Sequence, residues 1–152
     1  MELTQFTEDL AKTYASWRYS SPYDIYNLPS WEQMLAKNSP ITTPQGRANY
    51  YAYTQNSKLI GVVSFKKNDN NIYVGIALCP DCCGHGLGAE VLNQALKDYD
   101  QNNNRTLPFY VEIREWNQRS IKTCQKCGFK IIDKKICKGR DDDFLGVCLE
   151  RN

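Results

Sequence analysis

The sequence predicts an α/β fold in which helices cover a mixed central β-sheet. Two observations support this prediction. Runs rich in β-branched and aromatic residues come in pairs separated by short polar turns, which predicts β-hairpins. Other runs of this kind are separated by longer stretches with apolar residues at three- and four-residue steps, which predicts helical crossovers. Because hairpins make antiparallel pairs and crossovers make parallel ones, the sheet is expected to be mixed.

The first half of the chain predicts two helices followed by three strands. Thr7 can cap the first helix, and Ser30 can cap a short second helix over residues 31–37. The segment between them, residues 18–30, is aromatic and interrupted by proline, which predicts a loop. Strands are expected at residues 48–54, 58–66 and 71–78.

The second half predicts a long helix, a strand, another helix and a hairpin. The long helix places its apolar residues on one face, namely Val91, Leu92, Ala95, Leu96 and Tyr99. The next strand is expected at residues 109–114. The helix after it runs over residues 117–127 and ends before Gly128, a residue type common just past helix C-termini. Residues 129–138 and 144–149 are expected to form the hairpin.

Length and composition indicate one soluble domain over residues 1–152. Hydrophobic residues make up 41% of the chain and charged residues 24%, which is ordinary for a globular protein. The net charge of +2 is too small to indicate nucleic-acid binding. No apolar run has membrane-spanning length, and the first residues lack the pattern of a signal peptide. We therefore expect a cytoplasmic protein with neither nucleic acid nor a membrane as a partner.

A glycine-rich turn stands between a predicted strand and the long predicted helix. It contains Gly84, Gly86 and Gly88, which allow the backbone to approach a ligand closely. A strand, a glycine-rich turn and a helix in this order direct free backbone N–H groups at an anion. The spacing matches neither the Rossmann fingerprint nor the P-loop. The turn therefore predicts an anion-binding site of another type, with a tight turn that serves packing alone as the alternative.

Two sequence blocks resemble motifs of the GNAT acetyltransferases. Residues 80–88, Pro-Asp-Cys-Cys-Gly-His-Gly-Leu-Gly, resemble the family's acetyl-CoA signature Arg/Gln-x-x-Gly-x-Gly/Ala, with Cys83 at the Arg/Gln position. Residues 117–129 resemble the family's Asn-x-x-Ala/Ser-Ile-x-x-Tyr-x-x-x-Gly-Phe, with Cys124 at the tyrosine position. The resemblance, to a small bacterial-type member, covers essentially the whole chain. It implies the GNAT fold, a mixed central sheet of about six to seven strands flanked by about four helices.

The resemblance implies an N-acetyltransferase that uses acetyl-CoA as its acyl donor. The acetyl group would pass to a primary amine of an unidentified small molecule or peptide, by direct transfer in a ternary complex. The protein would be a monomer or a homodimer. The backbone of the glycine turn would hold the CoA pyrophosphate, and Asn117 would bind the pantetheine arm. The cofactor-binding residues that the resemblance implies are Leu78, Cys79, Cys83, Gly84, His85, Gly86, Leu87, Gly88, Ala89, Asn117 and Ser120.

Two residues are candidates for proton transfer. Glu112 resembles the glutamate that serves as base in ribosomal-protein N-terminal acetyltransferases, although a solvated or salt-bridged strand residue is the alternative. Cys124 would protonate the departing CoA thiolate, or it is a small buried residue of the core. The aromatic residues that the resemblance places around the acceptor, with ordinary core packing as the alternative, are Tyr19, Tyr23, Tyr26 and Trp31.

Two other functions stay open. The pairs Cys79-x-x-Cys82 and Cys124-x-x-Cys127 have the spacing of zinc ligands. The long gap between the pairs and the helical pattern around the second argue against a zinc module, and we expect no metal. With cysteine at both the Arg/Gln and the tyrosine positions, the protein can also be a non-catalytic acyl-CoA-binding protein or sensor.

Overall fold

A computed structural model describes all residues from 1 to 152 and contains seven strands and five α-helices. The strands are β1 (Glu2–Thr4), β2 (Tyr50–Gln55), β3 (Lys58–Lys67), β4 (Ile72–Leu78), β5 (Phe109–Arg114), β6 (Lys130–Lys138) and β7 (Asp143–Arg151). The helices are α1 (Glu8–Ser16), α2 (Trp31–Ala36), α3 (Pro44–Arg47), α4 (Leu87–Asn102) and α5 (Gln118–Lys126).

The sheet is mixed, as predicted. Its strand order is β1-β2-β3-β4-β5-β7-β6. Strand β4 pairs with β5 in parallel, whereas the pairs β1–β2, β2–β3, β5–β7 and β6–β7 are antiparallel. The helical crossover α4 connects the parallel pair, and the antiparallel pair β6–β7 is a hairpin, which is the physical basis of the prediction.

The predicted elements are present, and two short ones were missed. Strand β1 has three residues and helix α3 has four, so neither is long enough to show a hydrophobic period. The predicted caps are confirmed. The hydroxyl of Thr7 accepts from the Leu10 N–H at 3.2 Å, and Ser30 forms a capping box with Gln33 at the start of α2.

The chain forms two compact units. The first comprises Met1–Ser64 and Ile76–Leu87. Its hydrophobic core is built from helix, loop and strand residues, namely Phe6, Ala11, Ala15, Trp17, Met34, Ile41, Ala52, Leu59, Val62 and Cys79. Most of these side chains lie in the predicted helices and strands, and burial of this apolar area stabilises the unit.

The second unit comprises Phe65–Gly75 and Gly88–Asn152. In it β5 lies between β4 and β7, and its residues alternate between two faces of the sheet. One face carries Phe109 and Val111, which are fully or almost fully buried. The other carries Tyr110, Glu112 and Arg114, so β5 supplies the polar side chains described below. No helix of the structure combines the length and the apolar character that crossing a membrane requires.

Candidate active site

Two glycines of the turn adopt a backbone conformation that other residues rarely take. Gly84 and Gly86 have φ of +84° and +76°, in the left-handed region that favours glycine. A Cβ at either position would meet no atom within 4 Å, so the backbone conformation, rather than space, calls for glycine. The turn is exposed, and the N–H groups of residues 84–86 make no hydrogen bond within the protein. These N–H groups are therefore available to a ligand.

Helix α4 begins at Leu87, directly after this turn, and is 16 residues long. The first N–H groups of a helix have no partner within it, and the helix dipole makes this end partly positive. The turn and the first residues of α4 therefore present a contiguous run of donors that suits a phosphate group. Binding of the CoA pyrophosphate by residues 84–89 stays a prediction.

Two cysteines before the turn form hydrogen bonds within the protein. The Cys79 N–H donates to the Ile60 carbonyl at 2.9 Å, and the Cys79 side chain is 5% exposed in the core. The Cys83 thiol donates to the Cys79 carbonyl at 3.6 Å. The structure therefore favours Cys79 as a core residue rather than a cofactor ligand. The side chain of His85 is exposed at the tip of the turn.

Asn117 stands at the N-terminus of α5. Its side-chain oxygen accepts from the Ser120 N–H at 3.2 Å, and the residue is 7% exposed. This hydrogen bond caps the helix, so helix capping by itself accounts for an asparagine at position 117. Binding of the pantetheine arm by Asn117 and Ser120 stays a prediction.

The aromatic residues of the predicted acceptor region belong to the first unit. The Tyr19 O–H donates to the Leu78 carbonyl at 2.6 Å, and both Tyr19 and Trp31 pack against the core of the unit. This favours the core alternative for these two residues, and the carbonyl of Leu78 keeps one further lone pair. Tyr23 and Tyr26 are half-buried in a turn of 3₁₀-helix, and their contact with an acceptor stays a prediction.

Glu112 is half-buried on β5, and a tyrosine holds its carboxylate. The Tyr110 O–H donates to Glu112 Oε2 at 2.8 Å. Burial, followed by hydrogen bonds to Cys148 and Glu112, raises the pKa of Tyr110 well above its usual range, so it stays a donor. The neighbouring cation Arg114 instead binds Asp142 through two hydrogen bonds of 3.0 and 2.8 Å. Glu112 therefore forms no ion pair, and the salt-bridged alternative does not hold.

Two cysteines lie beside Glu112. The thiols of Cys137 and Cys148 and the carboxylate of Glu112 all lie within 4.8 Å of one another. Burial first, and then the charge of Glu112, raise the pKa of Cys137 to about 11 and that of Tyr73 to about 12. Sequence reasoning missed this group because only strand register brings it together. The two-residue step from Tyr110 to Glu112 was its one visible signal.

Cys124, at the family's tyrosine position, is 1% exposed on α5. Burial, and secondarily Cys127, raise the pKa of the Cys124 thiol to about 12. A thiol with this pKa stays protonated at neutral pH but gives up its proton reluctantly. The structure therefore favours the core alternative for Cys124, and its role as an acid stays untested.

Comparison with known families now adds to this geometry. A sequence model of the acetyltransferase (GNAT) family matches residues 4–129, which is most of the chain. The chain belongs to the GNAT family of acetyltransferases. The predicted family, fold and enzyme class are thereby confirmed. No protein of curated function matches the sequence significantly.

Solved GNAT structures share the fold over nearly the whole chain. An acetyltransferase from Bacillus anthracis has a TM-score of 0.72 and 16% identity, covering 97% of this chain and 92% of its own. The ribosomal-protein-S18-alanine N-acetyltransferase from Escherichia coli has a TM-score of 0.68 and 16% identity. The match covers 99% of this chain and 92% of that enzyme. The enzyme AAC(6')-Ib, in complex with ribostamycin and coenzyme A, has a TM-score of 0.70 and 17% identity. The match covers 96% of this chain and 90% of that enzyme. At these identities the likeness shows the fold alone.

Proposed function

We propose that this GNAT acetyltransferase transfers the acetyl group of acetyl-CoA directly to a primary amine within a ternary complex. The observation that carries the proposal is the exposed turn at residues 84–86, with its unpartnered N–H groups directly before α4. We propose that both compact units act together as one domain, since the family match draws on residues of both.

The pyrophosphate of acetyl-CoA binds the backbone of residues 84–89 in this proposal. The N–H groups and the dipole of α4 attract the phosphates, so the loss of the family's Arg/Gln side chain at Cys83 removes one contact only. The side chains of Cys83 and His85 then contribute little to binding. Asn117 and Ser120 lie at the start of α5, and we propose that they contact the pantetheine arm.

Glu112 acts as the base. An incoming ammonium group loses a proton to the Glu112 carboxylate, and its nitrogen attacks the thioester carbonyl carbon. The C–N bond forms, the attacking nitrogen releases its second proton to solvent, and the C–S bond breaks. The CoA thiolate departs and takes a proton from solvent, and Glu112 returns its proton to solvent before the next turnover. The support for this role is a carboxylate that has no cation as a partner and is held by the Tyr110 O–H at 2.8 Å. A lone carboxylate also attracts the ammonium form of the acceptor.

The acceptor is a primary amine of a peptide or small molecule. The titles of two neighbours illustrate this range, since one protein acts on the alanine of ribosomal protein S18 and another is bound to ribostamycin. We propose that Tyr23 and Tyr26 contact this acceptor. We also propose a cytoplasmic location, because all seven cysteines are unpaired and a reducing compartment keeps thiols in this state. A monomer and a homodimer both accommodate this function.

One experiment tests the pyrophosphate site. Gly86→Glu and Gly86→Gln bear the same backbone cost at positive φ and nearly the same volume, so they differ in charge alone. We expect Gly86→Glu to bind acetyl-CoA about 5- to 30-fold more weakly than Gly86→Gln, because a carboxylate near a phosphate costs about 1–2 kcal/mol. Isothermal titration calorimetry measures the difference. Equal affinities in the two variants would refute the pyrophosphate site.

A second experiment tests the base. Glu112→Gln is expected to lower kcat by about 10²–10⁴ with little change in acetyl-CoA affinity. The matched control is Glu115→Gln, which removes a carboxylate that pairs with Lys134 at 2.9 Å on the surface. We expect the control to keep its kcat. The assay follows acetylated product over a panel of peptides, polyamines and aminoglycosides.

The second candidate function is a non-catalytic acyl-CoA-binding protein or sensor. The observation that favours it is the buried thiol of Cys124, which replaces a proton donor by a residue unsuited to that task. Tight CoA binding without acetyl transfer to any amine of the panel would support the sensor over the enzyme.

A further inference from the structure

We propose that Glu112, Cys137 and Cys148 form a binding site for a zinc ion, separate from the two Cys-x-x-Cys pairs. The three ligand atoms lie within 4.8 Å of one another on one face of the second unit. Cys137 and Cys148 are 3% and 1% exposed, and Glu112 is half-buried. Two thiolates and a carboxylate are ligands that zinc accepts, and three protein ligands leave a fourth position for water.

Strand register builds this site. Glu112 on β5 lies directly opposite Cys148 on β7, so their side chains share a face of the sheet. Cys137 comes from β6 and reaches across Gly146, where an added Cβ would meet its sulfur at 2.5 Å. The absence of a side chain at position 146 leaves room for this thiol in its present position. Three neighbouring strands therefore aim three ligands at one point.

The spacing of the ligands suits a metal ion. Zinc–sulfur bonds of about 2.3 Å in a tetrahedral site place two sulfurs about 3.8 Å apart. The ligand atoms, at no more than 4.8 Å, need to close by at most about 1 Å. A rotation about χ1 of a cysteine supplies such a movement without a change in the backbone.

A disulfide is the alternative use of two neighbouring thiols, and the register disfavours it. Cys137 pairs with Phe144, whereas Cys148 pairs with Asp133, four residues further along β7 from Phe144. Disulfides need Cα atoms about 4.4–6.8 Å apart, which directly opposite residues provide. Cys137 and Cys148 are not directly opposite each other, and both thiols are free in the structure.

The charge balance also favours a cation. Zinc binds cysteine as the thiolate, so any thiol proton is released to solvent on binding. The complex of Zn²⁺, two thiolates and one carboxylate carries one negative charge. The charge of the ion thus offsets both thiolates, so burying the complex costs less than burying two bare thiolates.

A bound zinc ion would change the enzyme's activity, and this consequence rests on the proposed function. A zinc ion bound to Glu112 takes the lone pair that would accept the proton of the acceptor amine. Zinc would therefore inhibit acetyl transfer, and its removal by a chelator would restore it. The site would make the activity sensitive to free thiophilic metal.

Cobalt titration of the reduced protein tests the site directly. We expect one Co²⁺ per chain and a thiolate-to-cobalt absorption band. Cys137→Ser, Cys148→Ser and Glu112→Gln should each weaken binding by about 100-fold or more. The control is Cys82→Ser, which belongs to a Cys-x-x-Cys pair and should bind as the unaltered protein does. Glu112→Gln keeps the size of a half-buried side chain, so it still tests metal binding if a cysteine variant fails to fold.

The outcomes separate the site from the proposed function. Absence of the band, or a band lost in Cys82→Ser and kept in Cys148→Ser, would overturn the proposed site. Zinc should block acetyl transfer in the unaltered protein and leave Cys137→Ser active. A thiolate band without any inhibition would overturn the inhibitory role. If no amine is acetylated even with chelator present, the proposed function fails, and the cobalt titration still decides the metal site.

Discussion

We expect the Cys124→Ala variant to be less stable than the unaltered protein at neutral pH and more stable at high pH. The thiol is 1% exposed, and burial raises its pKa from 9.0 to about 12. Between these values the unfolded chain ionises the thiol and the folded protein does not. The unfolded state then binds fewer protons, so the free energy of unfolding falls as pH rises above 9. This stability is fully present below pH 9.

The magnitude follows from the pKa difference. Each unit corresponds to about 1.36 kcal/mol, so the protein loses about 4 kcal/mol through this thiol by pH 12, and about 2 kcal/mol by pH 10.5. Cys124→Ala does not incur this loss. It does lose the packing of the sulfur, which costs about 1 kcal/mol at every pH. The variant should thus be less stable by about 1 kcal/mol at pH 7.5 and more stable by a similar amount at pH 10.5.

Urea denaturation at pH 7.5, 9 and 10.5 measures this difference. Other groups with raised pKa values, such as Tyr73 and Cys137, titrate in both proteins and cancel in the comparison. Cys124→Ser also lacks the ionisation and should show the same dependence on pH. A stability difference between Cys124→Ala and the unaltered protein that is equal at pH 7.5 and 10.5 would refute the argument. A tenfold fall in kcat at pH 7.5 would show that Cys124 is more than a packing residue.

Three further predictions concern single hydrogen bonds. Ser30→Ala should cost about 1 kcal/mol in urea denaturation, because it removes the capping box of α2. Tyr19→Phe should cost about 1 kcal/mol in the same measurement, since the carbonyl of Leu78 loses its donor at 2.6 Å; an unchanged midpoint would contradict this. Tyr110→Phe should lower kcat about tenfold, with KM for acetyl-CoA unchanged, because a bond to a charged Glu112 contributes about 1.5 kcal/mol to its position. An equal change in kcat and KM would indicate a merely structural role.

Local sequence patterns determined the elements and the conformation of the glycine turn. Hydrophobic periods predicted the helices and strands, and Thr7 and Ser30 predicted two helix starts, because these effects act within a few residues. Gly84 and Gly86 predicted the conformation of the turn for the same reason, since positive φ is a property of single residues. The elements β1 and α3 were not predicted, because they are too short to show a repeating hydrophobic pattern.

The tertiary structure decided what surrounds Glu112. The sequence singled out Glu112 as a base, and the two-residue step from Tyr110 was the one signal of its neighbours. Nothing in the sequence indicated that Cys137 and Cys148 lie beside it. Those neighbours depend on the pairing of β5, β6 and β7, and a shift of one residue would turn each side chain to the other face. Register is set by the whole hairpin and its bulge, whereas the Cys-x-x-Cys spacing that drew attention to a metal concerned other cysteines. Short-range patterns thus predicted the glycine turn, whereas the long-range pairing of strands placed the side chains that surround Glu112.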